Sequence, residues 1–170
     1  MKKSVKKTWN VISTVLVVIV VVIALLLVGA RLFGLQVYAV LSGSMEPTYH
    51  VGSIMYVKSV DPGEIEVGDP ITFVMNEELT VATHRVVRID TENRAFYTKG
   101  DANNDPDAAP VNFNNLLGKP VLTIPYLGYV SSFVQSPPGI YIAVGVGALL
   151  LALAFLPDML DGDKKQKRKN

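Results

Sequence analysis

A long stretch without a charged residue, from Thr8 to Ala30, constrains this chain more than any other feature. Between residues 11 and 28 it is almost entirely Val, Ile and Leu. Crossing the hydrocarbon core of a bilayer takes roughly 20 apolar residues, so the stretch predicts a membrane-spanning helix. Residues 28–30 have small side chains at offsets that also suit a signal-peptide cleavage site. The apolar core exceeds the about 7–15 residues usual in a signal peptide, which favours an uncleaved anchor.

A second uncharged stretch runs from Pro120 to Pro157. Its densest apolar part, residues 140–156, is close to the lower length limit for a span, and it predicts a second membrane helix. The two stretches divide the chain into four parts. These are a basic N-terminus with the first transmembrane helix (1–35), an extracytoplasmic domain (36–138), the second transmembrane helix (139–157) and a basic cytoplasmic tail (158–170).

The distribution of charge predicts the orientation of the chain. Four lysines precede the first stretch and five Lys or Arg residues follow the second, whereas residues 31–138 carry 7 basic and 12 acidic residues. Basic residues accumulate on the cytoplasmic side of membrane proteins. We therefore expect a multi-pass protein of the cell membrane with both termini cytoplasmic. Basic ends next to anionic lipid are explained as topology anchors, so the lipid bilayer is an expected partner and nucleic acid is not.

The absence of cysteine excludes disulfides and every thiol-dependent mechanism. The chain has two histidines, His50 and His84, without the spacing of a metal site. No metal and no cofactor is therefore predicted.

The middle part of the chain reads as short strands separated by turn residues, and no long helix is evident in it. The predicted fold class is accordingly mostly β: one small β domain flanked by an N-terminal and a C-terminal transmembrane helix. Strands are predicted at 37–41, 53–60, 71–75, 80–89, 95–98 and 121–124, with a hairpin tip at 76–78 and a loop at 100–110.

Directly after the first predicted strand, the sequence presents serines in a tight turn. Gly43 allows unusual backbone angles beside Ser44, and Pro47 stiffens the exit. Ser42 is placed to turn its hydroxyl to the same side, where it could help the backbone N–H of Ser44 to stabilise an oxyanion. A serine in a turn is most often only a turn former, and a serine nucleophile needs a base. The candidates are His84, His50, Lys58 and Lys99, and periodicity does not rank them.

An acidic loop follows, with Asp101, Asp105 and Asp107 close together. Such residues often form a solvated turn. A calcium loop is a second interpretation, although the EF-hand pattern of Gly and Glu positions is not met. The third interpretation is that one carboxylate orients a histidine, as in a Ser-His-Asp triad.

Three motifs resemble those of type I signal peptidases: SGSMEPT (42–48), THRVV (83–87) and YTKGDANNDPD (97–107). A histidine at the position of the base resembles the endoplasmic-reticulum-type branch of that family, and the basic tail most resembles its Gram-positive members. The resemblance implies a membrane-bound serine endopeptidase that cleaves signal peptides from secreted preproteins. It leaves open any accessory subunits. The alternative is a catalytically silent, membrane-anchored β-module that binds exported partners.

The resemblance also implies a role for each matching residue. Ser44 matches the nucleophile, His84 the general base and Ser42 the hydroxyl that assists the oxyanion hole. Asp107 is expected to orient His84, and Asp101 to support the site. Asp105 is a rival of Asp107, because Ala102 departs from the usual family pattern, and such a departure can shift the register. A second departure, Pro70, is expected at the start or edge of a strand.

Overall fold

The computed structural model describes residues 3–75 and 80–166, and it describes side chains for 7–75, 80–150 and 152. Contacts within the chain divide it into two units. One unit, residues 28–132, contains all the strands found in the described residues. The other consists of residues 1–27 and 133–170.

The first apolar stretch forms helix α1 (Lys3–Val28), which continues as a 3₁₀ turn (Gly29–Phe33). Its Val, Ile and Leu side chains are exposed around the helix, for example Leu25 at 61%. A helix that is apolar on all sides and this exposed in the described part of the chain is suited to a lipid environment. The segment Lys7–Phe33, with 27 residues, is long and apolar enough to cross a membrane, as the sequence predicts for residues 8–30.

The second predicted span is less regular. Helix α2 (Leu127–Gln135) ends at Ser136, and helix α3 (Pro137–Gln166) begins directly after it. The Ser136 hydroxyl accepts a hydrogen bond from the Gly139 N–H over 3.2 Å, as an N-cap does, and proline is well tolerated in the first turn of a helix. In the described residues these two helices meet the length and composition of a span only as a broken pair, so the predicted second membrane helix stays a prediction.

The strands found in the described residues are β1 (Leu35–Ala39), β2 (Ile54–Lys58), β3 (Pro70–Val74), β4 (Val81–Asp90), β5 (Ala95–Lys99), β6 (Val111–Asn112) and β7 (Leu116–Ile124). They pair antiparallel throughout, in the order β1-β2-β7-β3-β4-β5-β6. The mostly β character predicted for this part of the chain is therefore confirmed.

Strand β7 joins strands β1 and β2 to strands β3, β4, β5 and β6. Its first residues pair with β3, and residues from Lys119 onward pair with β2. Gly118 lies at the change of partner, with a φ of 149°. A Cβ atom there would lie 2.0 Å from the carbonyl oxygen of Lys58, so only glycine fits this close approach of two backbones.

A small hydrophobic core lies against β3, β4 and β5, and includes Ile71, Val86 and Phe96, each at most 1% exposed. Phe96 stacks on Phe113 with ring centroids 4.4 Å apart. Fully burying a side chain of this size contributes about 1.5–3 kcal/mol. Because residues alternate in direction along a strand, His84 lies on the same face of β4 as Val86, at the margin of this core.

Six strands lie where the sequence predicts them, with ends shifted by at most five residues. Pro70 is the first residue of β3, as expected for a residue without a backbone N–H donor. Strand β6, helix α2 and the first half of β7 were not predicted. The hairpin tip predicted at 76–78 lies outside the described residues.

Candidate active site

The turn that contains Ser42 and Ser44, residues 40–53, is called the serine turn below. It is a closed loop between β1 and β2. Val40 and Ser53 hydrogen-bond at its base, with the N–H of Val40 donating to the carbonyl of Ser53 over 2.9 Å. Inside the loop, the N–H of Tyr49 donates to the carbonyl of Met45 over 3.0 Å. The Met45 side chain is 3% exposed and anchors the loop to the protein. Ser44, directly before this anchor, is thereby held at a defined place at the end of β1.

A cavity of about 600 Å³ opens beside this turn, and Ser42, Ser44 and His84 all line it. The other lining residues are Tyr38, Ala39, Val40, Leu41, Met45, Tyr49, Met55, Met75, Thr80, Val81, Ala82, Thr83 and Asn103. Most of these side chains are apolar, and methionine adapts its shape to a ligand more readily than branched residues do. The cavity is thus suited to a flexible, largely apolar segment such as a peptide.

The imidazole of His84 is held on two sides. Its Nδ1 lies 2.6 Å from Oδ2 of Asp107, and its side chain is 11% exposed. The ring of Phe73 contacts it edge-on, with centroids 6.3 Å apart. An ionised carboxylate only accepts hydrogen bonds, so the Nδ1 facing it carries a proton. In the neutral form of this ring the other nitrogen, Nε2, then has a free lone pair, which is the state a general base requires.

Asp101 has a different partner. Its two oxygens accept a bidentate pair of hydrogen bonds from Arg85, 2.8 Å from Nε and 2.6 Å from an Nη. The Thr48 hydroxyl donates to the same carboxylate over 2.6 Å. The hydrogen-bonded guanidinium of Arg85 holds the pKa of Asp101 below its usual range, despite partial burial. Asp101 therefore ties the serine turn to β4 and does not contact His84 through a hydrogen bond.

The three acidic candidates have different surroundings in the structure. Of these, Asp107 alone makes a hydrogen bond to His84. Asp105 is exposed in the same loop, and Asp101 pairs with Arg85. Ser42 lines the cavity with an exposed side chain.

The other candidate bases lie elsewhere. His50 is 62% exposed and pairs with Glu46 over 2.6 Å. Lys58 ends β2 opposite Lys119, and Lys99 ends β5 opposite Arg85. None of the three lines the cavity that contains Ser44.

Gly100 lets the acidic loop pack onto the serine turn. A Cβ atom at this position would lie 2.6 Å from the carbonyl oxygen of Ser44. That carbonyl also accepts a hydrogen bond from the N–H of Ala102 over 2.9 Å. The glycine of the third motif thus has a physical explanation, since any side chain at position 100 would separate the loop from the turn.

Two residues that support the candidate site were not identified from the sequence. Arg85 and Thr48 hold Asp101, and neither was assigned a role. An arginine directly after a histidine in a predicted strand was a usable signal for an acidic partner. The position of Thr48 gave no such signal, because a threonine in a turn is common. Within residues 3–75 and 80–166, no group of three or more His, Asp or Glu side chains is placed to hold a metal ion.

Comparison with known families supports the resemblance drawn from the motifs. A profile of the family described as "Signal peptidase, peptidase S26" matches residues 11–101, more than half of the 170-residue chain. The chain belongs to this signal peptidase family. The match includes Ser44, His84 and Asp101 and ends before Asp107. In a member of this family, the N-terminal apolar helix indicates association with a membrane.

Relatives of this signal peptidase family member come from bacteria and from eukaryotes. "Signal peptidase I W" of Bacillus subtilis is 45% identical over 87 residues, which are 49% of this chain and 45% of the relative. The human "Signal peptidase complex catalytic subunit SEC11C" is 27% identical over 112 residues, 60% of this chain and 58% of the relative. The SEC11 subunit of Fusarium vanettenii is 27% identical over 128 residues, 69% and 74% of the two chains. The match thus spans less than half of the Bacillus relative.

Proposed function

We propose that this protein is a membrane-bound serine endopeptidase that cleaves signal peptides from exported preproteins. The observation that carries the proposal is the hydrogen bond between His84 Nδ1 and Asp107 Oδ2, 2.6 Å long, at a cavity that Ser44 also lines. A paired, shielded histidine beside a serine at a cavity is the arrangement that activates a hydroxyl for acyl transfer. Membership of the signal peptidase family supports the same reaction.

In the proposed mechanism, Nε2 of His84 removes the hydroxyl proton of Ser44 as Oγ attacks the scissile carbonyl. The negative charge on the resulting tetrahedral oxygen is stabilised by the backbone N–H of Ser44 and the hydroxyl of Ser42. His84 then transfers its proton to the leaving amine, and the C–N bond breaks to leave an ester on Ser44. A water molecule, deprotonated by the same histidine, hydrolyses the ester and restores the serine.

The substrate side of the proposal rests on the cavity lining. Ala39, Val40 and Ala82 give the cavity an apolar wall, and among its described lining residues there is no Asp, Glu, Lys or Arg. Small uncharged side chains next to the scissile bond, such as alanine, suit such a wall, because a buried charge without a partner is strongly disfavoured. Leu41 lines the cavity and is 80% exposed. Its side chain is proposed to insert into the surface of the bilayer, at the place where a preprotein emerges.

The membrane side of the proposal follows from charge. Residues 36–138 lie outside the cytoplasm, and the two basic ends lie within it. The protein then crosses the cell membrane twice, at 1–35 and 139–157. The proposed partners are signal-peptide-bearing preproteins and lipid, and accessory subunits are not assigned.

The test is cleavage of a purified preprotein by the full-length protein in detergent. Ser44→Ala should lower the cleavage rate by roughly 10⁴–10⁶-fold, because the nucleophile is lost. Ser59→Ala is the matched control, since Ser59 is an exposed serine that does not line the cavity. Cleavage by Ser44→Ala at the wild-type rate would exclude Ser44 as nucleophile. No cleavage by the wild type, and no labelling of Ser44 by a serine-directed acylating inhibitor, would favour a silent binding module.

A further inference from the structure

The hydroxyl of Thr98 contacts the carboxylate that pairs with the proposed base, although the mechanism above does not use it. Thr98 lies in β5 and is fully buried, with 0% of its surface exposed. Its Oγ1 donates a hydrogen bond to Oδ2 of Asp107 over 2.6 Å. This is the same oxygen that faces Nδ1 of His84 over 2.6 Å. One carboxylate oxygen therefore accepts from both side chains.

Thr98 also holds Asp107 through the backbone. The N–H of Asp107 donates to the carbonyl oxygen of Thr98 over 2.8 Å. The backbone contact determines where the main chain of Asp107 lies beside β5, and the hydroxyl contact determines the direction of its carboxylate. Two points of attachment are needed to fix both, since a single backbone bond leaves the side-chain torsions free.

The hydroxyl of Thr98 restricts rotation of the Asp107 carboxylate, and such rotation would affect His84. Asp107 lies in a loop, and its side chain is 23% exposed, so water can reach a carboxylate that turns away from the histidine. The second ring nitrogen of a histidine is oriented by the group that the first one contacts. A carboxylate that rotates would therefore release the imidazole of His84 as well.

We infer that Thr98 is a positioning residue, which acts through Asp107 to keep His84 in the orientation and tautomer of a base. The inference rests on the proposed function, in which His84 activates Ser44. It predicts that the hydroxyl of Thr98, and not merely the volume of its side chain, is required for the rate of the chemical step.

Two substitutions separate the hydroxyl from the volume. Thr98→Val replaces the hydroxyl by a methyl group and keeps the branched shape, whereas Thr98→Ser keeps the hydroxyl. Thr72→Val is the matched control. Thr72 is also a fully buried strand threonine, and its hydroxyl pairs with the hydroxyl of Thr83 over 2.8 Å, outside the contacts of Asp107.

The first measurement is steady-state cleavage of a preprotein by the full-length variants in detergent. Thr98→Val should lower kcat by roughly 10-fold to 100-fold with little change in KM, as expected when a catalytic group loses its orientation. Thr98→Ser should recover most of the lost kcat, and Thr72→Val should stay close to the wild type. In an Asp107→Asn background, Thr98→Val should cause little additional loss, because both changes act through one unit. A full additional loss in that background, or an equal fall in kcat for Thr98→Val and Thr72→Val, would overturn the inference.

The second measurement does not depend on catalysis. The chain has only two histidines, so nitrogen NMR of the histidine-labelled protein in detergent, with His50→Ala for assignment, resolves His84. In the wild type its Nδ1 proton should be protected from exchange with water, and Thr98→Val should remove this protection while Thr72→Val preserves it. Equal protection in Thr98→Val and the wild type overturns the inference at any cleavage rate. If the wild type cleaves no preprotein but Thr98→Val still removes the protection, the proposed function fails and the positioning role stands.

Discussion

Both histidines of this chain contact a carboxylate over the same distance, 2.6 Å, yet their surroundings differ. The side chain of His50 is 62% exposed beside Glu46, and that of His84 is 11% exposed beside Asp107. Water competes for the hydrogen bonds of an exposed pair and leaves its geometry loose. A shielded pair keeps its orientation, and orientation is what a general base contributes. At the scale of single residues, burial therefore distinguishes the two histidines where their partners do not.

Replacing each histidine in turn tests this distinction. We expect His84→Ala to reduce preprotein cleavage nearly as much as Ser44→Ala, by roughly 10⁴-fold or more, because the two residues act as one unit. His50→Ala should retain most of the activity, since its ring does not line the cavity. The measurement is the initial rate of cleavage of one preprotein by both variants under identical conditions. An inactive His50→Ala with an active His84→Ala would show that the base is wrongly assigned.

At the scale of secondary structure, β4 presents two successive side chains to the acidic loop. His84 contacts Asp107, and Arg85 contacts Asp101. Thr48, which belongs to the serine turn, donates a hydrogen bond to the same carboxylate of Asp101. One strand thus holds both the loop and the turn, and the ion pair is placed to stabilise the arrangement without touching the reacting groups.

The Arg85–Asp101 pair predicts a pH-dependent stability. The hydrogen bond from Arg85 is the main cause that keeps the pKa of Asp101 below the usual carboxyl range. Because the folded state lowers this pKa, the stabilisation is present above the usual carboxyl value of about 4 and is lost as the pH falls through the lower folded value. Asp101→Asn should therefore cost about 1–2 kcal/mol at pH 7, the range of a charged hydrogen bond that is partly exposed.

Thermal unfolding of the full-length protein in detergent measures this effect. The difference in Tm between wild type and Asp101→Asn should be clear at pH 7 and should shrink when both are measured near pH 3. Asp105→Asn, which changes an exposed carboxylate of the same loop, should have little effect at either pH. A Tm difference for Asp101→Asn that is independent of pH would contradict the prediction.

A second prediction at the scale of secondary structure concerns Gly118, where β7 changes its partner from β3 to β2. Gly118→Ala combines a positive φ of 149° with a Cβ placed 2.0 Å from the carbonyl oxygen of Lys58. We expect a loss of about 2–4 kcal/mol, since strain and a steric clash act together. Gly68→Ala is the control, because Gly68 has a φ of 99° but no atom of the described residues lies within 4 Å of the added Cβ. Denaturant unfolding of both variants checks this, and an equal loss in the two would show that backbone strain alone is responsible.

At the scale of the whole molecule, charge and apolarity are distributed along the chain in blocks. The apolar segment Lys7–Phe33 separates a basic end from the acidic middle part, and a second basic block closes the chain. This pattern favours an orientation in which the domain with the candidate site faces away from the cytoplasm.

The absence of cysteine allows a clean test of that topology. Single cysteines are introduced at Ser59, in the middle part, and at Lys165, in the basic tail. A membrane-impermeant maleimide added to intact cells should label Ser59→Cys and leave Lys165→Cys unlabelled until the cells are permeabilised. Labelling of Lys165→Cys in intact cells would contradict the two-span topology, whereas failure to label Ser59→Cys would place the domain inside the cell.

Several properties of this protein were determined by the sequence itself, because they depend on neighbouring residues alone. The first apolar helix follows from a continuous run of Val, Ile and Leu between residues 11 and 28. Six of the strands follow from β-branched runs between turn residues, and the family follows from three short motifs around Ser44, His84 and Asp101. In each case the information is contained in a segment of a few to about 20 residues.

Other properties were decided only by the tertiary structure. Asp101, Asp105 and Asp107 lie within seven positions of one another. The family resemblance favours Asp107, but local spacing by itself does not show which of the three reaches His84. That choice depends on the path of the loop, which is set by the hydrogen bond from Asp107 to Thr98 and by the close approach of Gly100 to Ser44. The two-residue strand β6 and the early start of β7 likewise depend on partners far along the chain, with β6 pairing to β5 and β7 to β3. Contacts of this kind join residues that are distant in sequence, and it is the packing of the whole domain that brings them together.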